Sequence, residues 1–294
     1  MTHIAKAHAY VFNHGRLLDQ ARLDYAHHRV NQKEVLDALG KYQCDDGGFK
    51  HLEPDFEATT STPIDTWMAI NILREVDAPS HHPVVQKVLH YIKDAKDADK
   101  NGYFYFATLA MQDADHAPWW HTDVDRVEGF NPTASLVAFY YAHMNPEKAL
   151  NDQRIHAALA HIKREDTLEV HEWRALMEMV LELPELITPS LKPHLSKHLE
   201  HHLSQMQGWH TSYQPSPIDL FFHPKVVSWT YESMDVSKLI QDVLEALHDE
   251  GYMPIRWQWE GCRSASAIKT WQSITTTQAL LWIKEMVDLS HQNL

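Results

Sequence analysis

The placement of glycine constrains this chain more than any other feature. Only nine glycines occur in 294 residues. Gly47, Gly48, Gly102, Gly129, Gly208, Gly251 and Gly261 fall in breaks between helical patterns, and Gly15 and Gly40 read as lying inside helices. Between the breaks, apolar residues recur at helical spacing. Val35, Leu36 and Leu39 form one such set, and Val84, Val85, Val88, Leu89 and Ile92 a second. Ile155, Leu159 and Ile162 form a third, and Leu239, Ile240, Val243, Leu244 and Leu247 a fourth. Each set lines one face of a helix. Alternating runs of β-branched residues are nearly absent, so no sheet is expected. The first thirty residues read as one long helix carrying Ala9, Phe12, Leu17 and Ala21.

The breaks resemble one another. Each has a helix end, a polar residue, Gly and then an aromatic: Cys44-Asp45-Asp46-Gly47-Gly48-Phe49, Asn101-Gly102-Tyr103-Phe104, Gln207-Gly208-Trp209 and Glu250-Gly251-Tyr252. Glycine reaches the left-handed conformation that ends a helix without steric cost. New helices then start at Thr62-Pro63, Asn131-Pro132 and Ser216-Pro217, where a capping side chain precedes Pro at the first helical position. Ser273 to Thr277 reads as the start of a fourth. The unit is helix, Gly-aromatic turn, loop and capped helix, with a period of roughly 50 residues. The helices starting near Pro63, Pro132, Pro217 and Thr275 are the most continuously apolar and are expected to be the inner ones. No low-complexity linker interrupts the chain, so 1–294 reads as a single all-α domain.

Composition removes whole classes of function. Asp and Glu outnumber Lys and Arg by 40 to 26, a net charge of -14, and no basic cluster offsets it. Nucleic acid and anionic membranes are therefore poor partners. No apolar run approaches the length of a membrane span. The first ten residues lack both a basic start and an apolar stretch, so no signal peptide is expected, and the reading is cytoplasmic. Cys44 and Cys262 are the only cysteines and are expected to be unpaired thiols without a zinc site. No cofactor is expected: Gly-rich phosphate loops, G-x-S-x-G and C-x-x-C are all absent.

The turn Gln43-Cys44-Asp45-Asp46-Gly47-Gly48-Phe49 resembles the Q-x-x-D-G-[GS]-[FW] core of the QW-type repeat of terpenoid cyclases and protein prenyltransferases. The segments Phe49 to Asp55, Asp115 to Trp120 and Trp257 to Trp271 resemble bacterial prenyltransferase-like repeat proteins. The resemblance implies an α/α toroid, a double ring of paired helices around a central cavity. It does not carry a reaction across. The acidic D-x-D-D of one cyclase class is missing, since Asp113-Ala114-Asp115-His116 and Asp123-Val124-Asp125-Arg126 do not match it. Asp45-Asp46 runs into Gly47-Gly48-Phe49 rather than D-D-x-x-D, and neither cysteine has the context of the prenyltransferase zinc site.

Candidate chemistry therefore comes from the residues themselves. Glu53 and Asp55 flank Pro54 just before the capped helix at Thr62. Two carboxylates held close can divide their proton affinities, so that one serves as acid and the other as base. The other reading is that both carboxylates tie down helix ends or loop amides. Asp65 reads as a helix-dipole partner. His116, Trp119 and Trp120 lie in one short loop, and Trp257, Trp259 and Glu260 near the C-terminus, where an extended segment points both indoles to one side. Such aromatics stack on a sugar ring, shield a carbocation or fill a core. His194, His198, His201 and His202 share one helix face and read as surface. His171-Glu172 lacks the second histidine of a zincin site, because Ala175 occupies that position. The expectation is a small-molecule ligand, isoprenoid-like or carbohydrate, in the cavity, with Glu53 and Asp55 as acid and base. The alternative is a non-catalytic toroid that binds a ligand or a protein.

Overall fold

The computed structural model describes residues 2–228 and 235–292. Among them the chain is all-helical, with fourteen α-helices, three short 3-10 turns and only isolated β-bridges. Two compact units are formed. One contains Met1–Ala38, His202–Trp259 and Ser264–Leu294, and the other Leu39–His201 and Glu260–Arg263. The first carries α1 (His3–His14), α2 (Leu17–Ala26), α11 (Pro217–Leu220), α12 (Pro224–Ser228), α13 (Val236–Glu245) and α14 (Ser264–Gln292). The second carries α4 (Pro63–Glu75), α5 (Pro83–Asp94), α6 (Thr133–Met144), α7 (Pro146–Ala149), α8 (Gln153–Arg164) and α9 (Val170–Glu182). α3 (Gln32–Gly40) and α10 (Lys192–Gln205) run through the positions where the chain passes from one unit to the other.

The helix starts follow their sequence signals at two of the four expected places. Thr62 accepts from Asp65 N at 3.0 Å with Pro63 at the first position. Ser216 and Asp219 form a reciprocal capping box around Pro217. At α6 the expected cap fails: Pro132 is itself the cap residue, and no side chain bonds the helix end. At the fourth place the helix begins at Ser264, and Ser273 to Thr277 lie inside it. Thr275 and Thr276 donate back to the carbonyls of Trp271 and Gln272 at 2.8 and 2.5 Å. A hydroxyl that bonds four residues back is compatible with helix interior, which is why a capping motif misled here.

Two helices are shorter than their apolar patterns suggest. The N-terminal thirty residues break at Gly15 and Arg16, both extended, and Gly40 is the last residue of α3. A Cβ on Gly15 would press into Ser273 Oγ and Val11 O at 2.6 Å, so the break is a site of close packing against α14. The helix at Pro217 stops after four residues. Pro224 follows, and the residue before a proline is pushed away from helical geometry. By contrast α6 is buried throughout Thr133 to Phe139.

Three of the Gly-aromatic turns are built alike. Gly47, Gly102 and Gly251 have φ of 96°, 79° and 96°. Each turn closes with one backbone bond, Cys44 N donating to Gly48 O, Asp99 N to Tyr103 O and His248 N to Tyr252 O, at 2.8 to 2.9 Å. Two residues past each glycine, a backbone N–H donates to a helical threonine: Phe49 to Thr66 at 3.0 Å, Phe104 to Thr133 at 2.9 Å and Met253 to Thr276 at 2.8 Å. The threonines were the unread half of the repeat. Each turn also lies against a further helix. Gln43 Nε2 donates to Val84 O of α5 at 2.9 Å, Arg154 of α8 donates to Gly102 O at 3.0 Å, and Lys6 of α1 donates to Asp249 O at 2.9 Å.

In the first unit, Asp19 is wholly buried. Burial alone raises its pKa, but Arg16, bonded at 2.8 and 2.9 Å, with Arg22 and Ser273, holds it below its usual value. Burial lowers the pKa of His8, His27, His51, His143 and His198. For these histidines the unfolded chain takes up protons first, so acid favours unfolding. Their contribution is intact above about pH 6.5 and declines as pH falls toward the lower native values. The Asp19 contribution persists to about pH 4 and is lost as pH falls through its depressed native value. Melting temperature followed by circular dichroism is therefore expected to drop in two stages on acidification, the first beginning near pH 6.5.

Candidate functional site

The loop after the first turn is shaped by Asp65. Its Oδ1 accepts from Leu52 N at 2.7 Å and Glu53 N at 2.8 Å, and its Oδ2 accepts from the Thr62 hydroxyl at 2.7 Å. One carboxylate at the N-terminus of α4 thus folds the loop back over the helix start. This is more than the dipole contact expected of it. The loop buries two further carboxyl residues, Glu53 at 6% and Asp55 at 2% exposure. Asp55 N donates to Glu53 Oε1 at 3.1 Å, which fixes the Glu53 carboxyl beside the next turn of chain.

A second loop joins the first. Ala117 N donates to Asp55 O at 2.8 Å, and Thr59 donates to Asp113 at 2.6 Å. Trp120 is buried, edge-on to Phe56 at 5.2 Å between centroids and stacked on Phe106 at 4.9 Å. Trp119 keeps 40% of its surface exposed. His116 and His121 lie with parallel rings 5.7 Å apart. Residues 260–263 complete the cluster. Arg263 N donates to Asp115 Oδ2 at 3.0 Å, and its guanidinium pairs with Glu57 at 3.2 Å. The Arg263 N–H, and after it the Cys262 thiol, hold the Asp115 carboxyl below its usual range; the same bond raises the Cys262 thiol pKa. Cys44 and Cys262 are both free thiols, and burial raises the Cys44 pKa.

Of the residues singled out from sequence, Glu53, Asp55, His116, Trp119 and Trp120 come together in these two loops. Glu260 is exposed and belongs to the same unit. Trp257 and Trp259 belong to the other unit, where Trp257 packs edge-on to Trp271 at 5.1 Å and Tyr213 at 5.9 Å, and Trp259 is buried. The histidine stripe is not plain surface. His198 and His202 are buried, and His198 Nε2 bonds Ile162 O at 3.0 Å. The apolar residues beside them, Leu195 and Leu199, turn that side of α10 inward. Among the described residues, no three His, Cys, Asp or Glu side chains are placed to hold a metal ion. No described helix is long and apolar enough to cross a membrane.

No protein-family model matches the chain, and no curated protein and no solved structure matches it. The site therefore has to be read from its own geometry.

That geometry includes a polar cluster that sequence reading passed over. Trp67, Asn71 and Arg74 recur at i, i+4 and i+7 on α4, and Arg174, Glu178 and Glu182 at i, i+4 and i+8 on α9. Glu178 is 4% exposed and accepts from Trp67 Nε1 at 2.7 Å, Ser135 Oγ at 2.6 Å and Arg174 Nε at 3.0 Å. Arg74 lies 3.4 Å from Glu178 and bonds Glu182 at 2.5 Å, Asn71 at 2.9 Å and Ser135 Oγ at 2.8 Å. The two guanidinium groups lie over aromatic rings, Arg174 over Trp67 and Arg74 over Phe139. The signal was present as two polar stripes at helical spacing inside otherwise apolar helices.

Proposed function

We propose that the helix pairs close into an α/α toroid whose cavity binds a small organic molecule, and that Glu53 and Asp55 act on it as acid and base. The ring is supported by the succession of turn contacts. The turn after α3 reaches α5, the turn after α5 reaches α8, and the turn after α13 reaches α1. A closed ring of helix pairs needs this kind of handover from each pair to the next, ending back at the first.

The observation that carries the chemistry is the division of labour in the loop at 52–65. The cap of α4 is Thr62, and the loop amides of Leu52 and Glu53 are taken by Asp65. Glu53 takes the Asp55 amide, but neither Glu53 nor Asp55 is the cap of that helix, and a buried carboxyl pair is suited to general acid and base work. His116 and Trp119 sit in the loop joined to Asp55 and supply binding surface, and Trp120 anchors that loop against Phe56 and Phe106. The ligand classes consistent with an aromatic and carboxylate site are isoprenoid-like and carbohydrate.

The test is a thermal-shift panel of diphosphates, carboxylates and oligosaccharides, with wild type, Glu53→Gln and Trp120→Ala compared. A ligand that stabilises the wild type is expected to stabilise both variants less. Equal stabilisation of all three proteins would place the ligand away from these loops. Stabilisation retained at Glu53→Gln without any conversion of the ligand by the wild type would favour a non-catalytic binding protein.

A further inference from the structure

We propose that the facing polar stripes of α4 and α9 form a binding wall for a neutral polyhydroxyl ligand, a carbohydrate. This rests on the cavity reading above and names its substrate class. The wall consists of Trp67, Asn71 and Arg74 with Arg174, Glu178 and Glu182. α4 is buried on every side except along this stripe, at Met68 and at its final residue Glu75. α9 is likewise buried from Ala175 to Leu181. The side chains of Arg74, Arg174 and Glu182 retain 18%, 23% and 16% exposure, whereas Glu178 retains 3%. Glu178 is the anchor, and the others present an accessible edge.

Charge decides the ligand class. Two guanidinium groups are matched by two carboxylates, so the wall is locally neutral, within a chain whose net charge is -14. An anion meets no surplus positive charge here, and a cation meets two arginines. A hydrocarbon ligand would strip water from the charged edges without replacing its hydrogen bonds, a cost of several kcal/mol. A sugar avoids all three penalties. Each hydroxyl both donates and accepts, so it can bond a guanidinium and a carboxylate at once. The groups are also pre-ordered: Glu178 holds Trp67 and Arg174, and Arg74 spans Glu178 and Glu182. Planar polar groups fixed by one another beside an indole present a rigid array, so little ordering entropy is lost on binding.

The experiment is saturation-transfer NMR and calorimetry on the full chain, with maltotriose, cellotriose, xylotriose and chitotriose as probes and geranyl diphosphate as the contrasting ligand. Wild type is expected to bind at least one trisaccharide in preference to geranyl diphosphate. Glu182→Gln keeps side-chain size and Trp67→Phe keeps an aromatic ring, and each is expected to weaken that binding about tenfold; circular dichroism identifies which of them is folded, and either one suffices. Binding by no trisaccharide, preference for geranyl diphosphate, or unchanged affinity in the folded variants would overturn the proposal. Glu53→Gln and Asp55→Asn separate this from the acid–base reading. If they still convert a bound saccharide, the acid–base reading fails while the wall stands.

Discussion

Replacing Glu178 with alanine is expected to destabilise the second unit by about 3–5 kcal/mol. The carboxylate is 4% exposed and receives bonds from Trp67, Ser135 and Arg174, with Arg74 at 3.4 Å. Removing it leaves two guanidinium groups and an indole N–H on α4 and α9, and the Ser135 hydroxyl on α6, each short of a partner. The cost comes from those stranded groups rather than from any large net strength of the ion pairs. Glu178→Gln retains an acceptor of the same size and should lose less. Urea unfolding of both variants checks this. Equal stability of wild type and Glu178→Ala would mean that the Glu178 network contributes nothing to holding α4, α6 and α9.

Gly47→Ala is expected to cost about 3 kcal/mol or more, because two penalties combine. The residue has φ of 96°, where a side chain is strained. A Cβ there would also run into the Lys87 carbonyl of α5, and backbone cannot swing aside as a side chain can. Gly251 repeats the situation against the Lys6 carbonyl of α1 and should respond alike. Gly208 is the control. Its φ is 78°, but the nearest atom to an added Cβ is Thr211 Oγ1 at 3.8 Å, so Gly208→Ala should carry the backbone penalty alone, about 1–2 kcal/mol. Denaturant midpoints for the three variants separate packing from strain. A Gly47→Ala variant no worse than Gly208→Ala would contradict the turn-on-helix contact.

The helical class and the turn glycines were legible because each rests on local chemistry. Apolar spacing at Val85, Val88, Leu89 and Ile92 has one outcome, and so does Gly before an aromatic at a helix end. What local chemistry does not settle was misread. Ser273 to Thr277 resembles a helix start, yet in the structure those hydroxyls bond backward within α14 and sideways to Asp19. Gly15 looks like a tolerated helix interior until the close approach of Ser273 is known. Pro224 shortens the helix at Pro217 although the apolar pattern continues through Leu220 and Phe221. Glu53, Asp55 and Trp120 stood out as candidates because proline and tryptophan are conspicuous in a loop. Asp65 was undervalued, since its bonds to Leu52 and Glu53 span the whole loop. Glu178 was missed because only Arg174 among its partners lies on α9, while Trp67 and Arg74 lie on α4 and Ser135 on α6.

The central claim is that Glu53 and Asp55 perform acid–base chemistry on a small organic ligand. The most direct measurement is turnover of the saccharides bound in the NMR screen, followed by product chromatography for wild type, Glu53→Gln and Asp55→Asn. The account predicts conversion by the wild type and a loss of about 100-fold or more in each folded variant, the usual effect of removing a general acid or base. Conversion at the wild-type rate by either variant, or no conversion by the wild type of any saccharide it binds, would contradict it.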